Sequence, residues 1–246
     1  MKCIVLAAGY ATRLHPLTQQ TPKALLKVNG KCIIDWVLDD INSLNIFDEI
    51  ILISNHKFIK DFYDWKNTKP YSITIIDDGT TSNETRLGAV RDIQYAIKQC
   101  HVATDTLIMA GDNILDFSIS SFIEYFLRHQ TSCIMRYYEL SNEKLKKRGV
   151  ATVDFTDLIV DFIEKPKEPN SRWCCAPFYF LKKQDILMID DAINSGCNVD
   201  APGGFIEWLF KRTPIHAMEM SGKRYDISDI ENYKEANRLF TGFIYN

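Results

Sequence analysis

Along the first half of the chain, short continuous apolar runs alternate with longer stretches whose apolar positions recur at helical spacing. KCIVLA (2–7) reads as a strand, and IIDWVLDDINSL (33–44) predicts a helix with Ile34, Val37, Leu38 and Ile41 on one face. EIILIS (49–54) is the next strand, followed by a helical stretch over 57–66, a strand at SITIID (72–77), a helix at LGAVRDIQYAIKQ (87–99) and a strand at TLIMAG (106–111). Continuous apolar strands separated by helices indicate a mostly parallel sheet covered on both faces. In such sheets ligands bind beyond the carboxyl ends of the strands, and three polar turns fall there: 9–23, 77–86 and 111–116.

After about residue 130 the pattern changes. SCIMRYYEL, GVATVDF, LIVDFIEKP and WCCAPFYFL are strand candidates with little helix between them, so mixed or antiparallel pairing is expected there. Helical segments follow at 183–195 and 203–212, then a strand at IHAMEM (215–220), the turn SGKRYDISD and a helix over 229–240. Repeats, low-complexity tracts and linkers are absent from the pattern. Residues 1–246 are therefore expected to form a single α/β domain of two differently patterned halves, about 1–130 and about 131–246.

Composition narrows the partners. With 46% hydrophobic residues and a formal net charge of −3, a broad electrostatic grip on nucleic acid or anionic lipid is not expected. Any anionic ligand must be met by a few placed cations. The first apolar run is too short for a signal peptide, and no stretch approaches the ~20 apolar residues of a membrane span, so the expectation is a cytoplasmic protein. Seven cysteines without CxxC spacing or a histidine cluster suit reduced thiols rather than a disulfide framework or a metal site.

The first polar turn carries the densest chemistry. Gly9 ends the first strand where the backbone must turn, leaving N–H groups free to face an anion. Arg13 offers a planar fork for phosphate oxygens and Lys23 a compact charge, while Pro16 and Pro22 stiffen the approach. Alone, such a loop is more often an ordinary turn, and both GxxxxGK[ST] and GxGxxG are absent. Asp112, directly after a strand, suits either Mg²⁺, which takes one or two carboxylates plus phosphate oxygens, or a turn cap. In FIEKPKEP, Glu164 and Lys165 project an acceptor and a donor from a proline-stiffened strand end; a surface ion pair is the plain alternative.

The whole phrase LAAGYATRLHPLTQQTPKALLKVNGKCIIDW resembles the signature loop of the sugar-1-phosphate nucleotidylyltransferases, the pyrophosphorylases that make nucleotide sugars. The resemblance rests on Leu6-Ala7-Ala8-Gly9, Thr12-Arg13-Leu14, Pro16-Leu17-Thr18 and Pro22-Lys23, and extends over nearly the whole chain. It implies a Rossmann-like three-layer α/β/α fold with a mostly parallel mixed central sheet, of the nucleotide-diphospho-sugar transferase type. The first half would bind the nucleotide and the second the acceptor. By the same resemblance Arg13 and Lys23 grip the triphosphate, Ala8 and Gly9 lie against the nucleoside, and Asp112 holds Mg²⁺ with Asp226 as a second candidate. Ala11 departs from the pattern, since the family usually has glycine there, and a methyl restricts positive φ.

Further along, the resemblance makes Glu164 the acceptor of hydrogen bonds from sugar hydroxyls, Lys165 the holder of the sugar phosphate, and Gly149 a backbone contact to the sugar. Cys175, Ala176 and Pro177 replace the residues that usually line this pocket, so the sugar goes unnamed. DDGTTSNETRLGAV (77–90) corresponds to the base-reading stretch, with Gly88 approaching the ring. The glutamine of members that use dTTP or UTP is missing, leaving Asn83 or Glu84 to meet the base. A carboxylate acceptor suits the amine of cytosine or the N1/N2 edge of guanine, which leans toward CTP or GTP.

The expected reaction is Mg²⁺-dependent: NTP and a sugar 1-phosphate give an NDP-sugar and pyrophosphate, with Arg13, Lys23 and Lys165 catalytic. Three rivals stand beside it. One is a cytidylyltransferase for phosphocholine or a phosphonate, for which Tyr138, Arg172 and Trp173 supply candidate pocket residues. Another is a catalytically silent regulatory homologue. The third, a glycosyltransferase, lacks its usual Asp-x-Asp in AGDN. The aromatic-rich second half leaves room for a homo-oligomer face, which core packing explains equally well.

Overall fold

The structure, a computed structural model, describes residues 1–243. In chain order its elements are β1 (Lys2–Leu6), β2 (Lys27–Val28), β3 (Lys31–Cys32), α1 (Ile33–Ser43), β4 (Glu49–Ser54), α2 (Ile59–Lys66), β5 (Ile73–Asp77), α3 (Ala89–Gln99), β6 (Thr106–Ala110), β7 (Asn113–Leu115) and α4 (Ser120–His129). There follow β8 (Ser132–Tyr138), α5 (Asn142–Leu145), β9 (Gly149–Val153), β10 (Ile159–Glu164), β11 (Trp173–Leu181), α6 (Lys183–Ile186), α7 (Ile189–Asn194), α8 (Gly203–Leu209), β12 (Ile215–Glu219), β13 (Arg224–Asp226) and α9 (Ile230–Leu239). The described residues gather into two contact units. One holds residues 1–86, 110–121 and 221–243; the other holds 87–109 and 122–220.

In the first unit β1, β4 and β5 pair in parallel, with Cys3 opposite Ile50 and Ile50 opposite Ile73. Ile4, Val5, Ile51, Leu52 and Ile53 are wholly buried, as β-branched strands covered on both faces must be. Helix α1 buries the anticipated Ile34, Val37, Leu38 and Ile41, and Ile33 as well. A second, two-stranded ladder joins β7 to β13 antiparallel, placing Asp226 directly opposite Asn113. Below it Leu14, Leu26, Val28, Ile33, Ile114, Ile227, Ala236 and Phe240 form one apolar cluster, to which α9 contributes. Tyr233 Oη donates to the Lys27 carbonyl at 2.7 Å, fastening α9 to the segment that leaves the first loop.

In the second unit β11 is central. It pairs antiparallel with β6, β8 and β9; β9 and β10 form an antiparallel hairpin, and β8 and β12 run parallel. The mixed pairing agrees with the change of pattern after residue 130. Helix α4, absent from the periodicity reading, buries Phe122, Ile123 and Phe126, and Phe126 stacks on Phe180 at 3.9 Å. The helix expected over 183–195 breaks at Leu187–Met188 into α6 and α7. Among the described residues no helix is long and apolar enough to cross a membrane.

Candidate active site

In the first unit the end of β1 is fixed from two sides. Ala7 donates to the Ile53 carbonyl at 2.9 Å, and Gly111 donates to the Leu6 carbonyl at 2.9 Å. A Cβ on Gly111 would stand 3.3 Å from Val5 Cγ1, so a bare backbone lets the start of the 111–116 turn lie against this strand end. The fully buried Asn55 donates to the Ala8 carbonyl at 2.9 Å. Beyond Ala8, Gly9, Thr12 and Arg13 are exposed, with Leu6 and Ala7 half-buried.

Ala11 takes φ 47° and ψ 43°, the left-handed conformation that the family's glycine allows. Its carbonyl accepts from Leu14 N at 2.9 Å and Thr18 Oγ1 at 2.8 Å, which holds it there. The methyl at position 11 therefore does not change the turn; it adds roughly 1–2 kcal/mol of backbone strain. After Pro22, a single 3₁₀ turn (Lys23–Leu25) returns the chain. Lys23 Nζ lies 2.5 Å from Asp112 Oδ2, with side-chain exposures of 14% and 33%. Asp112 Oδ1 accepts from Asn113 Nδ2 at 2.6 Å, and the Asp112 carbonyl accepts from Ile227 N at 3.4 Å. Asp226, on the facing strand, lies 3.8 Å from Arg224 Nη1.

Asp226 thus faces Asn113 across the ladder, one residue along the chain from Asp112. Among the described residues no group of three or more His, Cys, Asp and Glu is placed to hold a metal. Two carboxylates are nevertheless a donor set that Mg²⁺ takes, since phosphate oxygens and water complete its shell. The residues fit the ion.

The stretch 77–86 is tied to the same loop: Tyr10 Oη lies 3.1 Å from Thr80 Oγ1, and His56 N donates to the Thr80 carbonyl at 2.9 Å. Burial pushes the Tyr10 phenol up, against the Thr80 bond, with Asp78, Asp77 and Glu84 adding to the rise. Glu84 is exposed and held below the usual carboxylate range by its bond to the Ser82 side chain. Asn83 is half-buried, its carbonyl accepting from Arg86 Nη1 at 2.9 Å.

In the second unit a separate group assembles around the 148–165 hairpin. Glu164 pairs with Gly149 across β10 and β9. A Cβ on Gly149 would stand 2.6 Å from Phe162 Cζ and 2.9 Å from Glu164 Oε2, and one on Gly203 only 2.0 Å from Glu164 Oε2. Glu207 Oε2 accepts from the Glu164 N–H at 3.2 Å. Burial pushes the Glu164 carboxyl up to about 7; Lys165 and Arg148 oppose the rise while Glu207 and Asp200 reinforce it. Lys165 sits at φ 54°, and its Nζ reaches Asp200 Oδ2 at 3.3 Å, both groups being largely exposed. Strain of this kind in a residue before proline marks a backbone that the surroundings over-determine.

Gly88 shares this unit. At φ 92°, its absent Cβ makes room for the Val199 carbonyl, which would lie 2.6 Å away. The carbonyls of Val199 and Asp200 accept from Val90 N and Ala89 N at 3.0 and 3.4 Å, satisfying the first turn of α3. A neighbouring main chain accounts for this glycine. Cys175 is buried within β11, its thiol donating to the Ala176 carbonyl at 3.3 Å. Trp173 and Tyr138 meet edge-on at 5.2 Å, and Arg172 Nη1 is occupied by the Leu140 carbonyl and Asn142 Oδ1, both at 2.8 Å. Gly203, Glu207 and Asp200 escaped the sequence reading. Their signal was PGGF, two glycines opening a helix where none is favoured by propensity.

Comparison with known proteins gives these clusters a setting. Residues 2–240 match the family model described as Nucleotidyl transferase. A protein of Sulfolobus acidocaldarius, provisionally named mannose-1-phosphate guanyltransferase, is 31% identical over 77% of this chain; the chain spans about half, 51%, of that protein's length. The UTP–glucose-1-phosphate uridylyltransferase of Haloferax volcanii is 24% identical, covering 97% of this chain and 96% of its own. The choline-phosphate cytidylyltransferase of Streptococcus pneumoniae is 22% identical, covering 97% and 98%. A solved UDP-glucose pyrophosphorylase with bound UDP-glucose superposes with a TM-score of 0.82 at 18% identity, over 97% of each chain, which establishes the mixed-sheet nucleotide-diphospho-sugar transferase fold. With the family model matched across both clusters, the chain belongs to the nucleotidyl transferase family.

Proposed function

We propose that this protein is a Mg²⁺-dependent nucleotidylyltransferase that joins a nucleoside triphosphate to a sugar 1-phosphate, releasing pyrophosphate. The observation that carries this reading is the Lys23–Asp112 pair at the mouth of the glycine loop, 2.5 Å apart and both still partly accessible. Each member has an alternative partner in a metal–triphosphate: the ammonium for phosphate oxygens, the carboxylate for the cation. Arg13, exposed on the same loop, adds a fork for phosphate. Asp112 and Asp226 would hold Mg²⁺, which, when bound, neutralises charge on the triphosphate.

Leu6, Ala7, Ala8, Gly9 and Thr12 line the nucleotide's approach, and Asn83 or Glu84 reads its base. An exposed carboxylate acceptor at Glu84 supports CTP or GTP over dTTP. In the second unit Glu164 accepts from the acceptor's hydroxyls, Lys165 holds its phosphate, the Gly149 backbone touches the sugar and Cys175 contributes to the wall, while Gly88 is assigned to the nucleotide's base. The acceptor phosphate is already nucleophilic, so no covalent enzyme intermediate is required. Positioning and charge neutralisation supply the rate.

A second reading rests on Glu164. Its carboxylate stands with Glu207 and Asp200 close by, and Lys165 is drawn to Asp200. A cationic acceptor such as phosphocholine would match that balance, as the Streptococcus pneumoniae relative's name suggests. The test of both is pyrophosphate release with Mg²⁺ for CTP, GTP, UTP, dTTP and ATP against glucose, mannose and heptose 1-phosphates, phosphocholine and 2-aminoethylphosphonate. Release with one base and a sugar phosphate supports the first reading. Release only with phosphocholine or the phosphonate replaces the acceptor, and no release with nucleotide bound overturns the enzymatic reading.

A further inference from the structure

We propose that the face of α8 formed by Gly203 and Glu207 is a clamp that positions Glu164, making Gly203 a positioning residue for acceptor recognition. The inference rests on Glu164 as the acceptor-reading group. Gly203 and Glu207 are four residues apart, one helical turn, and so share a face. They act on one residue at two points. Glu207 Oε2 accepts from the Glu164 main-chain N–H at 3.2 Å, fixing the strand end. Gly203 fixes the side chain by omission, because a Cβ there would stand 2.0 Å from Oε2 and 2.9 Å from Cδ of Glu164. A methyl at position 203 would therefore displace the Glu164 carboxylate, the flexible end of its side chain, from a place it also shares with Gly149, where a Cβ would stand 2.9 Å from Oε2.

Neighbouring glycines keep α8 in register for this task. Gly204 allows the Asn198 carbonyl to come within 1.9 Å of where its Cβ would be, so the helix start packs directly on the 198–200 segment. That segment in turn supplies Asp200 to Lys165. The two members of the EKP pair are therefore each placed by α8 or by the strand of chain leading into it. The titratable groups around Glu164 are Lys165 next to it, Arg148 before β9, Glu207 on α8 and Asp200 before α8. Filling the Gly203 position would push the carboxylate out of this burial toward water and toward an ordinary carboxylate pKa.

The experiment is Gly203→Ala, with Glu207→Ala as the second variant and Gly203→Ala/Glu164→Asp as the rescue. Alanine favours the helix over glycine, so α8 itself is not weakened. Expected for Gly203→Ala is an acceptor KM raised roughly tenfold or more, with nucleotide KM unchanged, and partial recovery when the shorter aspartate is combined with it. The Glu164 carboxyl, followed by ¹³C NMR titration, should move down from about 7. Acceptor KM within twofold of wild type, with Glu164 titrating as before, overturns the clamp. If the wild type turns over no acceptor at all, it is the proposed function that fails. The titration then decides the clamp alone: a lowered Glu164 pKa in Gly203→Ala supports it and an unchanged one overturns it. Should Gly203→Ala fail to fold, Glu207→Ala is read by the acceptor KM alone, because removing the Glu207 charge itself lowers the Glu164 pKa: a roughly tenfold rise supports the clamp and a KM within twofold of wild type overturns it.

Discussion

Replacing Glu164 by Gln should stabilise the protein at pH 8 and do little at pH 5. Burial raises this carboxyl from 4.5 to about 7 in the folded state. The folded protein therefore binds the proton more tightly than the unfolded chain. Below pH 4.5 both states are protonated and the contribution is complete. Between 4.5 and 7 the unfolded chain sheds its proton while the folded one keeps it, so stability falls; above 7 the contribution is gone. At 1.36 kcal/mol per pKa unit the change amounts to about 3 kcal/mol. Gln keeps the shape without the charge, so the variant should gain up to that amount at pH 8, equivalent to a melting rise of roughly 6–12 °C for a chain of this size. The assay is thermal denaturation of both proteins at pH 5, 6, 7 and 8. A gain that is flat across pH, or a loss at pH 8, would refute the claim that Glu164 is a half-buried acid whose charge Lys165 and Arg148 offset only in part.

Lys23→Ala should lower kcat by about 10²–10³, the usual loss on removing one donor to developing charge, with a native circular dichroism spectrum; near-normal turnover would remove Lys23 from the chemistry. Its stability should drop by about 1–3 kcal/mol, because Asp112 loses a charged partner at 2.5 Å. Ala11→Gly should raise the melting midpoint slightly, relief of the strain at φ 47° outweighing the added chain entropy by up to ~1 kcal/mol. A lowered midpoint would show the left-handed turn to be wrongly placed. Gly88→Ala should destabilise by about 2–4 kcal/mol through overpacking on the Val199 carbonyl and strain at positive φ, read by urea denaturation. Chelation of divalent cations should abolish pyrophosphate release and added Mg²⁺ restore it; activity that survives chelation would remove the metal from the reaction.

Strands and helices with unmixed periodicity were legible in the sequence. EIILIS became β4 at its anticipated bounds, and the anticipated face of α1 is the buried one. What escaped notice depended on partners distant in the chain. β7 and β13 are three residues each and have no periodicity of their own; only their pairing makes them strands. That pairing brings Asp226 beside the 112–113 turn, which spacing could not show. Helix α4 is missing from the sequence reading although SSFIEYFLRH repeats apolar residues at helical spacing. The β2–β3 hairpin had its own signal in Asn29-Gly30, both at positive φ. At the candidate site the motif residues were legible, and the clearance they need was not. Glycine as a requirement for empty volume at Gly203, or for a carbonyl at Gly88, appears only when the neighbour is known.

The order in which the chain supplies the first unit has a consequence for its synthesis. The loop from Gly9 to Lys23 leaves the ribosome early, yet the apolar cluster beneath it needs Ile227, Ala236 and Phe240, and the strand facing Asn113 is 224–226. At ~5–20 residues per second, the two hundred residues separating Leu26 from Asp226 take roughly 10–40 s to translate. Throughout that interval Leu14, Leu26 and Val28 lack their later partners, and the nucleotide cluster is incomplete. The second unit, drawn from 87–109 and 122–220, has all its strands before then. Nascent chains should therefore protect the EKP hairpin from proteolysis before they protect the glycine loop, and the loop should be the part that most needs shielding by a chaperone.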